Sequence, residues 1–298
     1  MKRSVWITFG ALCLLSSSAW LAEPFGVSTL PSLQRQGLLY LIVGLGALLI
    51  SNRKLPSRIS GRPWAPLAGT SLAFFGIPAI AISLASSSVG EINRSALFSM
   101  VPIVVAVALS AIDAGGPAER DVRRSLAPAV VGVGGLLLLL PLSYSNTLHG
   151  NLMIAVVFAA VILVGVASVL LYRLLPQFEL SDTLTVVCLS NAALLLIFAW
   201  KSEATIWDRS SLLSLVSLPS LVDVAEVLLL LWLLGRMPPV QFAARYLLIP
   251  LLTVLEAYVL VRPDLTLRIA AGAILLATGA GLLLLQPPAE GETILSLR

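Results

Sequence analysis

Asp223 and Glu226 stand three residues apart in Leu218–Gly235, "LPSLVDVAEVLLLLWLLG", a run that is otherwise almost wholly apolar. A spacing of three puts both carboxylates on one face of a helix. A charged side chain at mid-depth in hydrocarbon costs about 2.5–3.5 kcal/mol even on lenient insertion scales. That face must therefore meet water, a cation or another helix. Two kinds of chemistry follow: holding the positive end of a bound molecule, or taking up and releasing a proton. The alternative is a fixed ion pair with Arg245 that only pins two helices together.

Other residues join this pair as candidates. Arg245 either reaches the polar interface with its long side chain or faces the same cavity, as a partner of Glu226 or a contact for a carboxylate. Tyr246 beside it is a cavity wall or plain packing. Glu256 follows Arg245 by eleven residues, close to three helical turns, so both share one stripe. Its other reading is a partner for Arg262 or Arg268. Arg35, Glu91 and Arg94 belong to a vestibule or to ordinary surface pairs. Pro102 and Pro250 lie in apolar segments, where a missing N–H can bend a helix. Ala273, Ala277 and Gly281 recur at four-residue intervals and form a small face suited to close helix approach.

The sequence has one histidine, His149, and two cysteines, Cys13 and Cys188. It contains no HExxH, no phosphate-cradling GxxxxGK[ST] and no cysteine pair. No metal site, cofactor or hydrolytic nucleophile is expected, and no enzyme activity.

The elements that position these residues are legible from composition. The chain of 298 residues is 58% hydrophobic and only 11% charged, far from the roughly 25% charge of soluble domains. A soluble core could not hide that much apolar surface, so the expected solvent is lipid. Ten apolar segments of spanning length are predicted near 5–21, 32–50, 65–84, 93–112, 126–142, 152–172, 183–200, 212–234, 240–261 and 267–285. The start, "MKRSVWITFGALCLLSSSAWLAEP", resembles a secretory signal, but it is read as a retained first helix. Basic residues such as Lys2, Arg3, Arg53, Lys54, Arg58 and Arg62 favour the side of the N-terminus, so both termini are expected in the cytoplasm. The net charge of +4 is scattered between apolar runs, which speaks against nucleic acid as a partner.

The two halves look alike. "RSALFSMVPIVVAV" resembles "ARYLLIPLLTVL", aligning Pro102 with Pro250. "GVGGLLLLLP" resembles "GAGLLLLQP", aligning Gly132 with Gly279 and Gly134 with Gly281 at nearly the same offset. A five-segment unit ends on the side opposite to its start, so its copy enters the membrane inverted.

With "PSLQRQGLL", "FSMVPI", "YLLIPLL" and the closing "RPDLTLRIAAGAILLATGAGLLL", the chain resembles the drug/metabolite transporter superfamily, EamA type. The likeness runs over nearly the whole chain. It implies an all-α integral membrane fold of ten helices in two inverted repeats, 1–145 and 146–298. It further implies a multi-pass plasma-membrane protein, in a bacterium the inner membrane. The implied activity is export or exchange of a small organic metabolite or drug-like compound by alternating access. Proton coupling and a homodimer are left open. The other readings are a lipid-head-group flippase of the same superfamily and a membrane scaffold or sensor without transport.

Overall fold

The computed structural model of the chain describes residues 3–22, 30–50, 64–112, 118–140, 147–202, 205–262 and 266–286. The helices are α1 (Arg3–Ser17), α2 (Ala19–Ala22), α3 (Ser32–Ile50), α4 (Trp64–Ser71), α5 (Ile77–Ala85), α6 (Glu91–Phe98), α7 (Val101–Ile112) and α8 (Ala118–Leu139). They continue with α9 (Leu148–Leu174), α10 (Leu180–Ser202), α11 (Arg209–Leu213), α12 (Leu218–Leu234), α13 (Pro239–Ala243), α14 (Arg245–Val261) and α15 (Leu267–Leu284). There is no strand among the described residues.

Each of the ten predicted segments overlaps a helix, with 141–142 of the fifth outside the described residues. Among the described residues seven helical stretches are long and apolar enough to cross a membrane, and an eighth if the bent pair ending in α12 counts as one. Arg3–Ser17 and Arg124–Leu139 are apolar but shorter. Several large apolar side chains point outward, among them Ile7, Leu49, Trp200 and Val259. Such long apolar helices with oily outer faces are compatible with a multi-pass membrane protein. The basic residues Lys2, Arg53, Lys54, Arg58 and Arg62, the boundary at 145/146 and the tail beyond Gln286 lie outside the described residues.

The chain divides into two compact units that are not its two halves. The first is Met1–Ala85 with Leu170–Arg236, and the second is Ser86–Val169 with Met237–Arg298.

The first unit is built on α3 packed along α10. A Cβ added at Gly37 would come within 2.9 Å of Leu196, and one at Gly44 within 2.9 Å of Leu189. Residue numbers run in opposite directions along this contact, so the two helices are antiparallel. Glycine is what lets the α3 backbone approach the leucines of α10 so closely. Between α4 and α5 the helix widens into a π-turn, Leu72–Gly76, which ends with the Ile77 N–H donating to the Leu72 carbonyl. Pro78 follows directly, and the widened turn absorbs the hydrogen bond that proline cannot make. At this turn a Cβ on Gly76 would meet Asn191 Oδ1 at 2.8 Å. Asn191 Nδ2 donates to the Val187 carbonyl at 2.8 Å and to Ser71 Oγ at 3.3 Å.

The second unit repeats the device with α8 against α15. A Cβ on Gly279 would lie 2.5 Å from the backbone of Gly132, and one on Gly135 would lie 2.5 Å from the Leu276 nitrogen. Gly272 in turn faces the Gly135 carbonyl. These helices are also antiparallel. Ala129, Val133, Leu136, Leu247, Leu276, Ala280 and Leu283 close the core around them. The ends are clasped by amides. Gln286 accepts from Ser125 Oγ at 2.6 Å and donates to the Arg124 carbonyl at 2.7 Å. Gln241 Nε2 donates to the carbonyls of Leu284 and Gln286.

The small-residue face at Ala273, Ala277 and Gly281 is not the one turned to α8. Ala277 is exposed and nothing approaches Gly281, whereas Gly272, Leu276, Gly279 and Ala280 are buried. The reason is angular. Gly272, Leu276 and Ala280 keep the same four-residue interval one residue earlier, so the stripe that faces α8 is turned by about 100° from Ala273, Ala277 and Gly281.

Candidate functional site

The acidic pair sits on α12, and the route into that helix decides its depth. Segment 212–234 was expected as one span with Asp223 at its middle. Instead α11 and a short 3-10 turn, Ser214–Val216, lead to an extended Ser217 (φ −76°, ψ 159°), and α12 starts afresh at Leu218 after a bend of 54°. Pro219 is the cause. It lacks the N–H that a continuous helix would need, yet it fits the first turn of a new one. Asp223 is therefore the sixth residue of α12, and Glu226 lies close to its middle.

Arg35 comes to Asp223 from the first turns of α3. Its Nη2 lies 2.8 Å from Asp223 Oδ2. The side chains are 29% and 34% exposed, so this ion pair is open at its edge and not sealed in the core. Glu226 Oε1 accepts a hydrogen bond from Ser16 Oγ at 2.5 Å. Ser16 lies at the end of α1, where Ser17 and Ser18 both turn their hydroxyls back to the Leu14 carbonyl. Such back-bonding loosens a helix, and α1 stops there before the short α2. One guanidinium, two carboxylates and a hydroxyl thus converge from three helices of the first unit. Tyr40, buried on α3 one turn beyond Gln36, stands edge-on to Phe75 with ring centroids 6.0 Å apart.

Gln34 holds this arrangement and was not among the expected residues. It is completely buried, and both ends of its amide are used. Nε2 donates to the Ile206 carbonyl at 2.6 Å, and Oε1 accepts from the Ile206 N–H at 2.9 Å. This clamp ties the start of α3 to the strand-like stretch that enters α11. Arg35 is the next residue, so the clamp also fixes where its guanidinium begins. A glutamine at the mouth of an apolar run was the signal available in "PSLQRQGLL". Asp208 caps α11 from the other side. It accepts from the Ser211 N–H at 3.0 Å and from the Ser210 hydroxyl. These bonds, the one from the Ser210 hydroxyl first, hold its carboxyl down to about 2.

The remaining expected residues belong to the second unit. Arg245 is buried at the start of α14. Its guanidinium lies 4.2 Å from the Phe242 ring centre and 4.7 Å from that of Tyr246, and Nη2 donates to the Tyr246 hydroxyl at 2.8 Å. Tyr246 stacks on Phe98 with centroids 6.3 Å apart. Within the first unit, Asp223 is matched by Arg35 and Glu226 by Ser16. Aromatic rings beside Arg245 shelter its cation.

Glu256 is half-buried on α14. Arg268, one of its expected partners, directs its guanidinium to the Leu138 carbonyl at 2.6 Å, where it satisfies the end of α8. Glu91 is exposed in the first turn of α6, where a negative charge suits the helix dipole, and Arg94 lies one turn on. Pro102 and Pro250 are not locally equivalent. Pro102 is the second residue of α7, after a break at Ser99–Met100, whereas Pro250 is inside α14. Pro102 fits the first turn of α7 as Pro219 fits that of α12, each where a helix restarts after a break, while Pro250 lies within a continuous helix.

Among the described residues no cluster of histidine, cysteine, aspartate and glutamate could hold a metal ion. Cys13 and Cys188 are buried free thiols.

No family model matches the chain, and no curated protein does. Solved structures do match, in 28 chains. One, described as "Crystal structure of protein", is similar with a TM-score of 0.72 and 19% identity, over 96% of this chain and 99% of that one. At that identity the likeness shows the fold, and it does so for nearly the full length of both chains.

Proposed function

We propose that the chain is a secondary transporter of a small organic solute, working by alternating access, with Arg35, Asp223 and Glu226 as its charge-selective element. The observation that carries this reading is the open ion pair. A cluster that served only to brace apolar helices would be cheaper as packed hydrophobic side chains. Two carboxylates, a guanidinium and a hydroxyl on half-exposed faces of apolar helices instead make a polar station that an incoming solute can reach. The break at Ser217 also fits, since discontinuous helices commonly frame solute sites in such proteins.

The packing supports the inverted-repeat reading of the sequence. Helices related by an in-plane two-fold axis must run antiparallel. The segments predicted as repeat mates, α3 with α10 and α8 with α15, pack as antiparallel pairs. Gly132 and Gly279, aligned with each other in the repeat, touch, as residues beside such an axis would. On this reading the protein belongs with the drug/metabolite transporters of EamA type and sits in the plasma membrane.

The test is flux in reconstituted vesicles against a mixed metabolite panel, with protein-free vesicles as control. Movement of a water-soluble solute supports the proposal. Movement of labelled lipid head groups alone would favour a flippase. No movement of either, from folded protein, would leave a scaffold or sensor.

A further inference from the structure

We propose that the widened turn Leu72–Gly76 and the amide of Asn191 form a binding site for a sodium ion, built from neutral oxygens. It uses neither Asp223 nor Glu226 and does not depend on the transporter reading. The first observation is an acceptor with no donor. Asn191 is completely buried at the middle of α10, and its Oδ1 has no hydrogen-bond partner among the described residues. Buried side-chain oxygens are nearly always satisfied. The other end of the amide settles its orientation, since Nδ2 donates to the Val187 carbonyl and to Ser71 Oγ. Turned over, the amide would set its oxygen against that carbonyl. Ser71 Oγ donates to the Ala68 carbonyl at 2.8 Å and Ser190 Oγ to the Val187 carbonyl at 3.1 Å, so neither hydroxyl proton is left for Oδ1.

The second observation is a carbonyl that the helix leaves over. The Ile77 N–H, which an α-helix would give to the Ala73 carbonyl, goes to Leu72 instead. The next residue along is Pro78, which has no N–H. Ala73 lies about one turn before Gly76, and helix carbonyls point toward the C-terminal end, so this oxygen opens beside Gly76. Asn191 Oδ1 comes to the same place: a Cβ on Gly76 would lie 2.8 Å from it. Leu194 Cδ2 would be equally near and Leu72 Cδ2 at 3.7 Å, so the ground left by the missing side chain is small and otherwise apolar.

Two acceptors with no proton between them call for a ligand that brings positive charge. Oxygens without formal charge suit a monovalent cation, because a divalent one would lack counter-charge in this setting. Close packing selects the smaller ion, sodium over potassium. Unwound backbone carbonyls bind sodium in other membrane proteins in the same manner. The ion would tie the turn between α4 and α5 to α10. A site of this kind has no histidine, cysteine or carboxylate, so no metal-ligand motif announces it.

The experiment melts the purified full chain in detergent, in sodium, potassium or choline chloride at one ionic strength. The melting temperature is expected to rise with sodium in a saturating way, by about 3 °C at ten times the half-saturating concentration. Potassium and choline should leave it unchanged. Pro78→Ala gives the Ala73 carbonyl an N–H in either helix register, and should raise the half-saturating sodium concentration by about tenfold. Gly76→Ala sets a methyl group beside Oδ1 and should abolish the sodium effect. Equal melting in the three salts would overturn the inference and leave water as the occupant. So would a sodium effect that survives unchanged in either variant, because the ion then binds elsewhere. If Gly76→Ala does not fold, the salt comparison and Pro78→Ala decide between these outcomes.

Discussion

Arg35 and Asp223, 188 positions apart in the chain, meet at 2.8 Å and join the first turns of α3 to the helix that restarts after Ser217. The contact links two elements whose positions are set by different means, an amide clamp for one and a proline break for the other. A double-mutant cycle with Arg35→Gln and Asp223→Asn should return a coupling of about 1 kcal/mol, the upper range for a pair this exposed. Detergent melting of the four proteins measures it. A coupling near zero would mean that the two groups are neighbours without being partners.

Gln34 is expected to carry more of the local stability than either charge, through its two bonds to Ile206. Gln34→Leu keeps the volume roughly but strands the Ile206 N–H and carbonyl, each at a cost of about 1–3 kcal/mol. The expected results are a lower melting temperature and faster tryptic cleavage at the exposed Arg209. Unchanged cleavage would show that the entry to α11 is held by something other than the clamp.

Gly279 and Gly281 test the packing of α8 on α15. A methyl group at Gly279 has backbone atoms of Gly132 2.5 Å away, which cannot rotate aside, while one at Gly281 meets open space. Gly279→Ala should destabilise by about 1–3 kcal/mol. Gly281→Ala should be neutral or stabilise by up to about 1 kcal/mol, since alanine is the better helix former. Thermal melting of the two variants side by side reads the contrast directly, and equal effects would contradict the close crossing.

What the sequence made legible was the chemistry that is local in it. Two carboxylates in an oily run and the long apolar helices around them follow from short-range pattern. The partner of Asp223 does not, because nothing in a one-dimensional run states that residue 35 and residue 223 meet. Arg35 was recognisable as a charge near a helix start, and Arg245 lay closer along the chain to the acidic pair, but tertiary packing chose the former. The break at Ser217 was hidden by unbroken hydropathy on both sides, although Pro219 was a visible cause. The stripe of α15 that faces α8 was not legible, since an evenly spaced set of small residues says nothing about which side has a neighbour.

Asp208 gives a pH dependence. Its folded value is depressed to about 2 by the Ser210 and Ser211 bonds, below the roughly 3.9 of an unfolded aspartate. A depressed carboxylate contributes stability that is fully present above the unfolded value and is lost as pH falls through the folded one. Amide exchange in 209–213 should therefore be constant at and above pH 5 after correction for intrinsic rates, and should rise between about pH 4 and pH 2. Asp208→Asn should remove that rise. The same acid-dependent opening in the variant would assign it to another group.

The central claim is that Asp223 and Glu226 are tolerated in apolar surroundings because a moving solute uses them. Its most direct test is flux through reconstituted vesicles of the wild-type protein, Asp223→Asn and Glu226→Gln, matched for insertion and melting temperature. The account predicts that both variants fold and insert normally and lose at least tenfold in transport rate, about 1.4 kcal/mol or more. Normal flux through either variant would contradict it.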